Sequence, residues 1–201
     1  MGNKRDILFA DRYYHIYNHA VGNENLFNNK SDYIQFLQKY QKHASLYFQI
    51  YSYCLMPNHF HFLIKVKSLE ELIKQGYNEN ENIHNFLSQK IGNFFNSYTK
   101  SYNLTYNRKG RLFIESFHRI AIDTVNYLCK LIIYIHRNPV NHGFANKPNE
   151  WHYSSYNNIY KNMKNIQEYE DVIRWFDDKE NYLFCHLKES DLEDEYKLEF
   201  E

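Results

Sequence analysis

The feature that most constrains the fold is a pair of strand-like segments joined by a very short turn. Residues 48–55 (FQIYSYCL) and 59–66 (HFHFLIKV) are rich in β-branched and aromatic side chains, and Met56-Pro57-Asn58 lies between them. A connection this short permits only antiparallel neighbours. The two segments are therefore predicted to form a β-hairpin.

The remaining elements alternate around this hairpin. Patterns of apolar residues predict a strand over 13–18, a helix from Asp32 to about residue 47, a helix over 83–102, a strand over 112–122 and a helix over 124–136 that ends near Pro139. The order β-α-β-β-α-β is that of an α+β, ferredoxin-like (split βαβ) fold. We expect an antiparallel sheet with helices on one face, which leaves the other face free for a site.

Charge is distributed unevenly along a chain whose formal net charge is zero. Residues 166–201 carry 13 Asp or Glu and 4 Lys or Arg, whereas residues 1–165 carry 11 acids and 20 bases. We predict a body over 1–165 and an acidic C-terminal extension over 166–201. The basic body suggests a polyanionic partner, although both charges could simply be solvated. For the tail, a solvated helical appendage is favoured over an autoinhibitory segment that mimics the polyanionic partner.

Cellular location is constrained by what the sequence lacks. No apolar run approaches the roughly 18–20 residues that a membrane span needs. Cys54, Cys129 and Cys185 are widely spaced and odd in number, which argues against a disulfide framework or a zinc ribbon. These features predict a cytoplasmic protein without a membrane partner.

Two histidines of the second hairpin strand are candidate metal ligands. Strand alternation puts His59 and His61 on one face and the apolar residues between and after them on the other. A lone surface pair of histidines is often incidental, and a metal site needs a further ligand. Zinc would favour Cys or a third His, and the sequence has no CxxC or HExxH motif. Magnesium or manganese would instead favour oxygen ligands.

The helix before Pro139 carries a second candidate pair. Tyr134 and Asn138 are four residues apart and share one helix face. A tyrosine can act as a covalent nucleophile, and an amide oxygen can bind a hard metal ion. The alternative is an ordinary amphipathic core helix, and Pro139 disfavours helical geometry at the residue that precedes it.

These motifs resemble those of the single-tyrosine HUH transposases, and most closely the REP-associated tyrosine transposases. The similarity covers about residues 12–160. Its segments, in order, are YHIYNHAVGNENLF (14–27), CLMPNHFHFLI (54–64), NRKGRLF (107–113), YIHRNPVNHGF (134–144) and WHYSSY (151–156).

The resemblance implies a role for each matched residue. His59, His61 and Asn138 are expected to bind Mg²⁺ or Mn²⁺, and Tyr134 is expected to attack a DNA phosphate and remain linked to its 5′ side. The implied activity is a metal-dependent endonuclease and transposase that cleaves and rejoins single-stranded or hairpin DNA. Members of the family include monomers and homodimers, so both states remain open.

Basic residues near the last strand and helix are the candidate contacts for DNA phosphates. They are Arg108, Lys109, Arg111, Arg119 and Arg137, and strand alternation predicts that Arg111 and Arg119 share a face. Two other functions stay open: a non-catalytic module that binds single-stranded nucleic acid, and a zinc hydrolase that uses the histidine pair. The first would bind nucleic acid without cleaving it.

Overall fold

The computed structural model describes residues 5–114, 116–162 and 166–187. Their order is a strand, a helix, two strands, two helices, a strand and four helices, with a short 3₁₀ turn before the last three. The bounds are β1 (Tyr13–His19), α1 (Lys30–His43), β2 (Phe48–Met56), β3 (His59–Val66), α2 (Leu69–Lys74), α3 (Ile83–Thr105), β4 (His118–Ile122), α4 (Val125–Asn141), α5 (Tyr156–Asn162), α6 (Gln167–Trp175) and α7 (Lys179–Leu187).

The four strands form one sheet in the order β2-β3-β1-β4, and each neighbouring pair is antiparallel. The prediction of an α+β chain with an antiparallel sheet is confirmed. The register places His59 opposite His19 and His61 opposite Tyr17. We call the side of the sheet that carries His15, His19, His59, His61 and His118 the histidine face, and the other side the apolar face.

Two helices cover the apolar face. α1 and α3 pack on each other and on alternate residues of β1 and β3, among them Ile16, Phe60 and Phe62. α1 begins at Lys30, two residues before the predicted start at Asp32, and Asn29 caps it by accepting from the backbone N–H of Ser31. This packing buries much of the apolar pattern from which both helices were predicted.

The prediction that helices lie on one face only is wrong. α4 packs on the histidine face, where its apolar residues meet Leu63 of β3 and Ile122 of β4 in a second core cluster. The reason is the helix's own apolar stripe, which must be buried and finds the remaining face of the sheet. The stripe consists of Leu128, Leu131, Ile132 and Ile135.

The described part of the acidic extension is also packed rather than a solvated appendage. Val172 of α6, Phe176 and Tyr182 of α7 belong to the second core cluster. A buried contact of 2.9 Å between His136 Nδ1 and His186 Nε2 joins α4 to α7. The boundary at residue 165 stays a prediction, and residues 188–201 of the extension lie outside the described residues.

This packing predicts that the two helices contribute to stability. Phe176→Ala removes a ring that is 3% exposed, whereas Phe184→Ala on the outer side of α7 removes one that is 62% exposed. We expect Phe176→Ala to lower the free energy of unfolding by about 3–5 kcal/mol, because it leaves a cavity. Phe184→Ala should change it by less than about 0.5 kcal/mol. Equal results in chemical denaturation would show that α6 and α7 do not pack in this way.

Two element boundaries differ from the predictions. The strand expected over 112–122 is confined to His118–Ile122, and Phe113 forms only an isolated bridge with Ala20. The helix expected over 124–136 continues through Pro139 to Asn141. Among the residues described, no helix combines the length and apolar character needed to cross a membrane.

Candidate active site

The histidine pair lies at the start of β3, directly after the hairpin turn. The turn is held in place because the carbonyl of Pro57 accepts hydrogen bonds from the backbone N–H groups of Leu26 and Phe27. His59 and His61 point to the same face, their ring centroids are 5.2 Å apart, and both side chains are buried. Strand alternation therefore brings two imidazoles together inside the protein.

α4 supplies the other two candidate residues. Asn138 Oδ1 lies 2.8 Å from Nε2 of His59, and the ring of Tyr134 lies edge-on to that of His61 with centroids 5.3 Å apart. The helical geometry persists through Pro139, so Tyr134 and Asn138 remain on one helix face. The structure thus brings Tyr134, Asn138, His59 and His61 into one cluster between α4 and the sheet.

Burial keeps the histidines of this cluster neutral. Burial is the main cause that lowers the pKa of His59 to about 3, and the neighbouring imidazoles of His19 and His142 act in the same direction. Burial also places the pKa of His61 well below its ordinary value, with a smaller effect from His15. Both imidazoles therefore have a free lone pair at neutral pH, as metal binding requires.

Both ring nitrogens of His59 face an amide oxygen. Nδ1 lies 2.8 Å from Asn58 Oδ1, and Nε2 lies 2.8 Å from Asn138 Oδ1. A neutral imidazole carries one proton, so with the proton on Nδ1 the lone pair of Nε2 faces Asn138 Oδ1, and a cation between these two ligands would suit both. Neighbouring ligands of an octahedral Mg²⁺, with bonds of 2.0–2.1 Å, are about 3 Å apart. The donor set and its spacing fit a small divalent cation.

Within the described ranges, no group of three or more His, Cys, Asp or Glu has the spacing of a metal site. A site at this cluster therefore needs the amide oxygen of Asn138 as a protein ligand beside the two imidazoles. Such a set leaves positions for water and phosphate oxygens, which Mg²⁺ prefers. It does not resemble the closed set of a structural zinc site.

Sequence reasoning missed the aromatic residues that surround the pair. His15 Nε2 lies 2.9 Å from Nδ1 of His61, which fixes the orientation of that ring. Tyr17 stacks on His15, His61 and His118, and its buried hydroxyl has no hydrogen-bond partner among the described residues. Burial raises the pKa of Tyr17 to about 12. Alternation along β1 indicates that His15 and Tyr17 share one face of their strand. Their position beside His61 depends on the register of β1 against β3, which the sequence does not give.

The predicted phosphate contacts do not gather at this cluster. Arg108 forms an ion pair with Glu24, with Nε 2.6 Å from Oε2. Lys109 is exposed in the loop after α3, and Arg137 donates from α4 to the carbonyl of His186. Arg119 lies on the apolar face, where it donates to the carbonyl of Asp6.

The prediction that strand alternation places Arg111 and Arg119 on one face is wrong. Arg119 lies in β4, but Arg111 lies outside this strand, so alternation does not relate the two residues. Both arginines nevertheless line one pocket, which lies between α3 and residues 111–114, 116, 117 and 119. Their proximity comes from the fold of this segment.

The chain has a structural relative among proteins of known structure. No protein-family model and no curated protein matches the chain. Among solved structures, the chain is similar to the REP-associated tyrosine transposase in a structure described as bound to a REP hairpin. The TM-score is 0.59 at 14% sequence identity, over 79% of this chain and 84% of that chain. The two proteins share a fold.

Proposed function

We propose that the protein cleaves and rejoins single-stranded DNA through a covalent link to Tyr134. The observation that carries this proposal is the position of Tyr134 and Asn138 against His59 and His61, with Asn138 Oδ1 at 2.8 Å from His59 Nε2. A tyrosine hydroxyl, two imidazoles and an amide oxygen therefore lie together between α4 and the sheet. Phosphodiester transfer needs this combination of nucleophile and charge neutralisation.

The shared fold supports DNA as the substrate. The similar solved structure is described as a tyrosine transposase bound to a REP hairpin, and the motifs around Tyr134 and His59 resemble that family. The strand order β2-β3-β1-β4 is what a ferredoxin-like, split βαβ core requires, which favours the same assignment. We therefore propose an HUH-type transposase or a derivative of one.

Each residue of the cluster has a separate role in the proposed reaction. The hydroxyl oxygen of Tyr134 bonds to the phosphorus and loses its proton. The P–O3′ bond breaks, and the released 3′ oxygen takes up a proton. The phosphotyrosine conserves the energy of the broken bond, so a 3′-OH can later displace the tyrosine and rejoin a strand without ATP.

His59, His61 and Asn138 would hold Mg²⁺ or Mn²⁺. When bound, the ion would supply Lewis acidity and charge neutralisation at the phosphate. His15 acts through His61: its contact at 2.9 Å keeps the imidazole in one orientation. Burial keeps both ligand imidazoles unprotonated, so their lone pairs remain available at neutral pH.

The polarity of cleavage tests the proposal. Hairpin-containing and mixed-sequence single strands, labelled at one end or the other, are incubated with the protein and Mg²⁺ and run on a denaturing gel. We expect the label on the 3′ side of the break to stay with the protein, because the tyrosine retains the 5′-phosphate of that fragment. The other fragment should end in a free 3′-OH that a polymerase can extend. Binding without any covalent product would favour the non-catalytic module instead.

A further inference from the structure

We propose that a pocket on the apolar face binds one unpaired nucleotide of the DNA, away from the site of cleavage. The pocket lies between α3 and residues 111–114, 116, 117 and 119 and has a volume of about 720 Å³, within the usual range for a small-molecule site. This inference rests on the proposed function, since it takes DNA as the ligand. We call it the α3 pocket.

One face of α3 is open because its residues are small. Ser88, Gly92, Asn96 and Thr99 follow each other at helical spacing and line the α3 pocket. A Cβ at Gly92 would meet no atom within 4 Å, so the space beside this glycine is empty. A glycine inside a helix lowers helix propensity, and here it leaves room for a ligand.

Two donors face each other across the wall of the pocket. The backbone N–H of Leu8 donates to Nδ1 of His84, so a neutral His84 carries its own proton on Nε2. That Nε2 lies 3.2 Å from a terminal nitrogen of Arg119, which is always a donor. With this tautomer of His84, an anionic oxygen that lies beside both nitrogens could accept from each of them.

The charge of the pocket fits a phosphate. Arg5, Arg111 and Arg119 are among its lining residues, and the described lining contains no carboxylate. The nearby carboxylate of Asp6 accepts from the backbone N–H of Ala121 instead. Arginine side chains suit phosphate because their donors match its oxygens in pairs.

The pocket also has a surface for a base. Phe95, Phe113 and Phe117 line it, and the ring centroid of Phe95 lies 5.2 Å from that of Phe113 and 5.6 Å from that of Phe117. Arg119 lies over Phe117 at 5.3 Å. Aromatic rings and arginine planes beside a phosphate site are the combination that holds single-stranded bases.

A single strand of DNA can reach both sites. β4 is an edge strand of the sheet, and its consecutive residues His118 and Arg119 point to the histidine face and the apolar face. A strand that leaves the histidine face therefore reaches the α3 pocket by crossing β4 and residues 5 and 6, which lie along the outer edge of β4.

The proposal is tested by a substitution at Gly92 whose side chain fills the pocket. Gly92→Leu projects into the empty space, and Gly92→Ala is the matched control because it makes the same backbone change with little volume. Affinity for a fluorescent mixed-sequence single strand is measured by anisotropy, and thymidine 5′-monophosphate binding by saturation-transfer NMR. We expect Gly92→Ala to bind the strand within about twofold of the wild type and Gly92→Leu to bind it at least about tenfold more weakly. The mononucleotide signal should be lost in Gly92→Leu alone.

Equal DNA affinity of the two variants would overturn the proposal. If Gly92→Leu lost the mononucleotide but kept its DNA affinity, the pocket would take a free nucleotide and its assignment to DNA would be wrong. Should Gly92→Leu fail to fold, Arg111→Gln at the exposed rim provides the second test. It should weaken DNA binding and lower the salt slope by about one, and an unchanged slope would contradict the proposal.

Covalent adduct formation at saturating DNA distinguishes the two proposals. A folded Gly92→Leu protein should still form the adduct, since Tyr134 lies on the other face of the sheet. If Gly92→Leu lost DNA affinity and no variant formed an adduct, the nucleotide pocket would be supported and the proposed cleavage reaction would be wrong. If the protein formed the adduct and Gly92→Leu kept its DNA affinity, the reaction would be supported and the nucleotide pocket would be wrong.

Discussion

Tyr134→Phe should lower the yield of covalent protein–DNA adduct by at least about a thousandfold, because it removes the only atom that can bond to phosphorus in the proposed reaction. The ring remains and keeps its edge-on contact with His61. The free energy of unfolding should fall by no more than about 1 kcal/mol, the net value of one hydrogen bond. Affinity for single-stranded DNA should stay close to that of the wild type.

Tyr127→Phe is the control for this variant. It removes the same atom from the same helix, seven residues earlier, where the ring packs in the second core cluster. We expect it to form the adduct at the wild-type rate. If both variants kept their adduct yield, Tyr134 would be a core residue and the proposed nucleophile would be wrong.

His61→Ala should slow adduct formation at least about a hundredfold, since loss of a metal ligand removes several kcal/mol of transition-state stabilisation. Excess EDTA should have a comparable effect on the wild-type protein, and added Mn²⁺ should reverse it. His152→Ala is the control, because His152 is exposed and lies outside the cluster. Single-turnover rates across a Mg²⁺ titration measure the effect, and thermal unfolding shows whether each variant is folded.

Full activity of the wild-type protein in excess EDTA would contradict the proposed metal. Two variants of Asn138 distinguish a metal ligand from a residue that only packs in the core. Asn138→Asp retains an oxygen and adds charge, so it should still respond to Mg²⁺, whereas Asn138→Leu retains the shape and removes the oxygen. Equal activity of the two variants would remove Asn138 from the proposed ligand set.

The local parts of this structure could be predicted from the sequence. The hairpin and the common face of His59 and His61 follow from alternation over a few residues, and the observed β3 has the predicted bounds. Tyr134 and Asn138 share a face because helical spacing requires it. These features depend on neighbours in the chain and on no distant contact.

Features that depend on tertiary contacts could not be predicted in this way. The place of His15 and Tyr17 beside His61 depends on the register of β1 against β3. Continuation of α4 through Pro139 goes against local preference, and Pro139 is buried in this helix. The α3 pocket combines Gly92 with residues 111–114, 116, 117 and 119, most of which come before β4, where a continuous strand was predicted.

The most direct test of the central claim is the identity of the residue that carries the DNA. The wild-type adduct is digested with nuclease and protease, and mass spectrometry locates the remaining nucleotide 5′-phosphate on the peptides. We expect a single modified site, Tyr134. If the protease does not cut within α4, the modified peptide also contains Asn138. A nucleotide on another tyrosine, or on a residue other than tyrosine, would contradict it.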